Sequence, residues 1–200
     1  MLLRKLGVNN FVRWNGEAIG GIHHPRNIEY LWTQEQLAEI DLFFIKKTPV
    51  PDDKISNGVS YIQDGNLAKE VHDLTDKTYT THDVLSERDR RISQNFNWNG
   101  NMIQGREDDR ENIMGATVSA TLAVMNGVQP GDTKWAGGNT DFTWIVANNS
   151  TIVLDAYQMI DMGQTAMGVK KFYIYKAKDI KESVEANPTI NPTNDALWTP

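Results

Sequence analysis

Along the first third of the chain, short apolar runs alternate with turn signals. Phe11-Val12-Arg13-Trp14 runs into Asn15-Gly16 and then Glu17-Ala18-Ile19. Val59-Ser60-Tyr61-Ile62-Gln63 runs into Asp64-Gly65 and then Asn66 to Val71. Asn-Gly and Asp-Gly tolerate positive φ at little cost, so each stretch predicts a β-hairpin. Between them, Thr33 is placed to cap a short helix carrying Glu35, Leu37 and Ile40. Leu42-Phe43-Phe44-Ile45 predicts a strand, ended by Pro49 and Pro51.

The period changes at Thr80. Val84, Leu85, Arg88, Arg91 and Ile92 fall at helical spacing and predict a linker helix. A third hairpin signal follows in Phe96-Asn97-Trp98, Asn99-Gly100 and Asn101-Met102-Ile103. The strings WNGEAIGG from Trp14 and WNGNMIQG from Trp98 are alike, which shared turn chemistry explains without a duplication. Asp108 with Glu111 reads as a capping box, opening a helix that Gly127 and Pro130 stop near Asn126. Its apolar positions include Ile113, Val118, Leu122 and Met125, and its small positions are Gly115, Ala116, Ser119, Ala120 and Ala123. Small side chains let a second backbone approach, so Ala116, Ser119, Ala120 and Ala123 are candidate interface residues, facing another long helix or its symmetry mate.

Asp141 to Val146 and Thr151 to Leu154 predict two strands around Asn148-Asn149-Ser150. Asp155, with Gln158 three residues on, opens a second long helix. Met159, Ile160, Gly163, Ala166, Val169, Tyr173, Ala177, Ile180 and Val184 trace one face of it over roughly 30 residues. The expected fold class is α+β. A β-rich N-terminal region occupies 1–79, a linker helix 80–94, a C-terminal region with two long helices and small β-hairpins 95–186, and an extended tail 187–200. Pro188 and Pro192 are expected to keep that tail extended. Trp198 has no local core to join, so it is expected to be mobile in the isolated chain and buried by a neighbouring subunit.

Charge and composition narrow the function. The formal net charge of −6 argues against a nucleic-acid partner, which needs a basic face. No apolar run approaches the roughly 20 residues of a membrane span, and Met1 to Lys5 lack the pattern of a signal peptide. Cysteine is absent, which removes disulfides and thiolate chemistry.

Candidate chemistry is sparse. His23 and His24 are adjacent, which on a strand turns them to opposite faces and denies one ion both ligands. His72 beside Asp73 and His82 beside Asp83 could each be half of a general base with its orienting carboxylate, but no nucleophile motif accompanies them. Asp52-Asp53 and Glu107-Asp108-Asp109 lack the alternating ligands of a calcium loop. Gly131, Gly137 and Gly138 do not build a phosphate loop. The six tryptophans suggest core and interface anchors, or alternatively a sugar-stacking surface. No catalytic residue, metal site or cofactor is expected.

The stretch from about Asn95 to Ala186 resembles the C-terminal domain of unknown function of phage tail-fibre and baseplate-associated proteins. The residues that carry the likeness are Phe96-Asn97-Trp98-Asn99-Gly100, Ile113-Met114-Gly115-Ala116, Phe142-Thr143-Trp144 with Asn148-Asn149, and Leu154 to Met159. Ile28 to Leu37 is similar to a segment common in phage tail proteins. The resemblance implies a virion or assembly role and no known catalytic residues. The expectation is a structural baseplate or tail-fibre connector, not an enzyme, made in the host cytoplasm and carried in the virion tail. It would act through contacts with other phage tail proteins and as a homo-oligomer, with no membrane and no nucleic acid involved. The alternatives are a tail-fibre assembly chaperone, or a carbohydrate- or receptor-binding module.

Overall fold

A computed structural model describes residues 1–199 and divides the chain into two compact units, Met1–Lys77 and Thr78–Pro200. The architecture is mixed α+β, with strands concentrated in the first unit and the longest helix near the C-terminus.

In the first unit, β1 (Leu2–Gly7), β2 (Asn10–Arg13), β3 (Leu42–Lys46), β4 (Lys54–Asp64) and β5 (Leu67–Asp76) form one sheet in the order β2-β1-β3-β5-β4. All neighbours are antiparallel except β3 and β5, which run parallel. Successive strand residues point to opposite faces, and the burial follows that rule. Leu2 and Leu42 join Trp14, Ile28 and Leu37 in one cluster, while Leu3 and Phe43 join Ala68 in another. Leu37 comes from α1 (Gln34–Glu39), whose N-cap Thr33 accepts from the Gln36 N–H while the Gln36 side chain accepts from the Thr33 N–H.

The Asp64-Gly65 hairpin forms as the turn chemistry predicts, with Gly65 at φ +62° and Asp64 opposite Leu67. The Asn15-Gly16 hairpin does not form. Phe11, Val12 and Arg13 pair instead with β1, a strand missed in the sequence, and the tight turn between them carries Asn9 at φ +54°. Trp14 explains the difference. Its ring is buried, its N–H donates to the Leu2 carbonyl and its indole donates to the Glu17 carbonyl at 2.9 Å, so the chain bends where a second strand would begin.

The second unit contains α2 (Thr81–Ile92), the hairpin β6 (Phe96–Trp98) and β7 (Asn101–Ile103), α3 (Glu107–Met125), the hairpin β8 (Thr143–Ile145) and β9 (Thr151–Val153), and α4 (Ala156–Ala186). Both hairpins fall on their expected residues. The Asp155 carboxylate accepts from the Gln158 N–H at 2.8 Å and the Gln158 side chain accepts from the Asp155 N–H at 3.0 Å, closing the capping box of α4. The start of α3 lies earlier than Asp108, because Asp109 accepts from the Arg106 N–H and its guanidinium. The helix expected as a linker is part of the second unit: α2 packs along α4, with Val84 in one cluster with Ala177, Ile180 and Val184.

The tail also departs from expectation. It is not a free extended strand, and Trp198 is 3% exposed within its own chain. Asn187-Pro188-Thr189 and Asn191-Pro192-Thr193 are two copies of one turn, in which the Asn side-chain oxygen accepts from the Thr N–H and hydroxyl. These turns return the chain onto α2 and α4. Trp198 then packs with Ala177, Ile180 and Val184, donates to the Pro192 carbonyl at 2.7 Å, and lies under the Arg91 guanidinium.

Candidate interaction site on the helical unit

The long helices α3 and α4 run antiparallel, as Thr117 lies against Gly163 while Glu107 and Lys170 line one groove. Their crossing is close. A Cβ built on Gly163 would meet Thr117 Oγ1 at 2.2 Å and Cγ2 at 2.9 Å, and Thr117 is held in place by its 2.7 Å bond to the Ile113 carbonyl. Of the small residues expected at an interface, Ala120 is fully buried and Ala116 and Ala123 pack partly buried beside it, in the cluster that holds Met159, Met162 and Ala166 of α4. Ser119 is apart from them, exposed and donating to the Gly115 carbonyl. The hairpins close the same cluster with Phe96, Trp98, Ile103 and Val146, and the Trp98 indole donates to Asp161 at 2.8 Å.

The other side of this two-helix layer is open. At 100° per residue, Met114, Val118, Leu122 and Met125 point away from Ile113 and Ala120, and they are between 46% and 77% exposed. On α4, Met167 and Ile174 continue the apolar row at half exposure. A groove of about 470 Å³ runs between the helices on this side, lined by Glu107, Glu111 and Met114 of α3 and Gln164, Met167 and Lys170 of α4. A helix apolar on both faces is ordinarily covered on both. The sequence carried this signal in Val118, Leu122 and Met125, which stand with Ile113 as apolar positions without being divided between two faces.

Of the remaining candidate groups, His72 has the most defined surroundings. His72 donates through Nε2 to the Thr48 carbonyl at 2.8 Å, with the Glu70 carboxylate 3.9 Å away, and its Nδ1 lies 3.0 Å from the Ser56 hydroxyl. Asp73, expected as a partner, is on the opposite face of β5 because adjacent strand residues alternate. The Ser56 hydroxyl also faces the Gly58 carbonyl, an acceptor where an oxyanion would need donors. This pair therefore ties the Thr48 loop to the β4–β5 ribbon. His24 stacks edge-on to Trp32. Among the described residues, no group of three or more His, Asp or Glu side chains could hold a metal ion, and no helix is long and apolar enough to cross a membrane.

Acidic and basic groups in α2 form a separate network. Glu87 accepts two bonds from Arg90 and one from Arg91, and Arg91 reaches on to Asp195 of the tail. The hydrogen-bonded Arg90 guanidinium, aided by Arg91, holds the Glu87 carboxyl below the usual carboxylate range despite its burial.

The α3–α4 pair thus has one face packed and one face open. Residues 77–197 match the family described as a domain of unknown function, DUF4376, and the chain belongs to that family. The match spans nearly the whole second unit, with α2 and the folded tail included. No curated protein and no solved structure matches the chain.

Proposed function

We propose that this protein is a structural component of a bacteriophage tail, a baseplate or tail-fibre connector that works through protein–protein contacts rather than catalysis. The open face of α3 carries the contact reading. Four large apolar side chains stand in water there, on a helix whose opposite side is already packed, and large exposed apolar patches mark interaction surfaces. The tail setting is supported by the resemblance of residues 95–186 to the C-terminal domain of tail-fibre and baseplate-associated proteins. The sugar-binding alternative draws less support from the tryptophans. Trp14, Trp98, Trp135 and Trp198 are buried and Trp32 and Trp144 partly so. Mass spectrometry of purified virions tests the reading. Peptides of this chain in fixed ratio to other tail proteins are expected, and their absence from finished particles would favour an assembly chaperone.

A further inference from the structure

We propose that a second copy of this chain covers the open face of the α3–α4 layer, giving a two-fold four-helix bundle in which α3 of each copy lies against α4 of the other. This goes beyond the tail reading and does not rest on it.

Three observations select a second copy. The first is the pattern of charge around the apolar centre. Glu107 and Glu111 edge the face on α3, Lys170 and Lys171 edge it on α4, and among the described residues none of the four has an ion-pair partner. Glu107, Arg110, Glu111 and Lys170 line one groove; Arg110 is turned to the Ile92 and Gly105 carbonyls, so the two acids of α3 and Lys170 of α4 are the groups that share a height along the layer. A two-fold axis parallel to the helices preserves that height. It therefore sets Glu107 and Glu111 of each copy against Lys170 and Lys171 of the other, twice per dimer. A perpendicular two-fold axis reverses the height and sets the acids against Leu122 and Met125, which rejects that arrangement.

The second observation is the helix direction. Because α3 and α4 are antiparallel within a chain, the parallel axis makes every neighbouring pair in the bundle antiparallel, the ordinary up-down arrangement. Met114 and Val118 then meet Met167, closing an apolar core between the two layers. The third is size. The 19 residues of α3 make a face about 28 Å long and about 20 Å wide across two helices. That footprint, about 560 Å² in projection, approaches the roughly 800 Å² per partner of a stable complex once side-chain relief is added.

Sedimentation velocity on the full chain, over a concentration series, tests the proposal. The wild type should sediment as a dimer, and Val118→Glu as a monomer with unchanged far-ultraviolet circular dichroism. Glu111→Lys and Lys171→Glu should each raise the dimer dissociation constant about tenfold or more, since each sets like charges together twice. Mixing these two variants should restore a heterodimer, because both contacts are then complementary. A monomeric wild type, a dimer that survives Val118→Glu, or a mixture that associates no better than its components would each overturn the proposal.

Discussion

Gly163→Ala is the sharpest probe of how α3 and α4 are held. Replacing a helical glycine by alanine ordinarily stabilises by about 0.8–1 kcal/mol through backbone propensity. At position 163 the added methyl would meet Thr117 Oγ1 at 2.2 Å, well inside any real contact. Thr117 cannot simply turn aside, because its hydroxyl is bonded to Ile113 and its Cγ2 also lies within 2.9 Å of the new atom. The helices must separate, and overpacking of this kind costs about 1–3 kcal/mol. Taking the upper half of that range against the propensity gain leaves a net loss of about 1–2 kcal/mol, a fall in Tm of about 3–10 °C for a unit of this size. Gly168→Ala is the control, since nothing lies within 4 Å of its added methyl and the propensity gain should appear alone. Differential scanning calorimetry of the full chain compares the two through the transition of the second unit. Equal stabilisation by both substitutions would refute the close crossing at Gly163.

Three further outcomes are expected. Trp198→Ala should cost the second unit about 3–5 kcal/mol, and deleting residues 187–200 should lower its Tm, because the tail is part of its core; unchanged thermal unfolding of either variant would contradict the packing. Since the folded-state pKa of Glu87 is depressed, its contribution to stability is present above the ordinary carboxylate range and is lost as pH falls through the folded value. The Tm of the second unit should therefore drop more steeply in acid in wild type than in Glu87→Gln, and parallel pH profiles would count against the Arg90 pairing. Asp155→Ala should cost about 1 kcal/mol by removing the N-cap of α4, read as a lower midpoint in urea, and an unshifted midpoint would contradict the cap.

Elements whose signals are local were legible in the sequence. The Asp64-Gly65, Asn99-Gly100 and Asn149 turns carry their positive φ on the residues that turn chemistry designates, and the caps at Thr33 and Asp155 close with their expected partners. What escaped depends on distant residues. Whether Asn15-Gly16 turns a hairpin was decided by the seat that Trp14 finds beside Leu2, which no window around residue 15 contains. The fate of Trp198 was decided by Arg91, Tyr173 and Val184, and only the repeated Asn-Pro-Thr turn hinted locally that the tail bends back. In α3 the small positions were found, yet Ala120 and Ser119 face different surroundings because three-dimensional neighbours, not residue size, divide the helix into a packed side and an open one.

The proposed role rests on the open face of α3 being a surface that another protein chain covers. A photo-activated cross-linking residue placed at Val118, which is half exposed and so accommodates the change, tests this in cells expressing the full chain. Cross-linked products that join this chain to a second copy of itself are predicted, as the two-fold bundle requires. A variant that folds and assembles normally yet gives no cross-link from this position would contradict it.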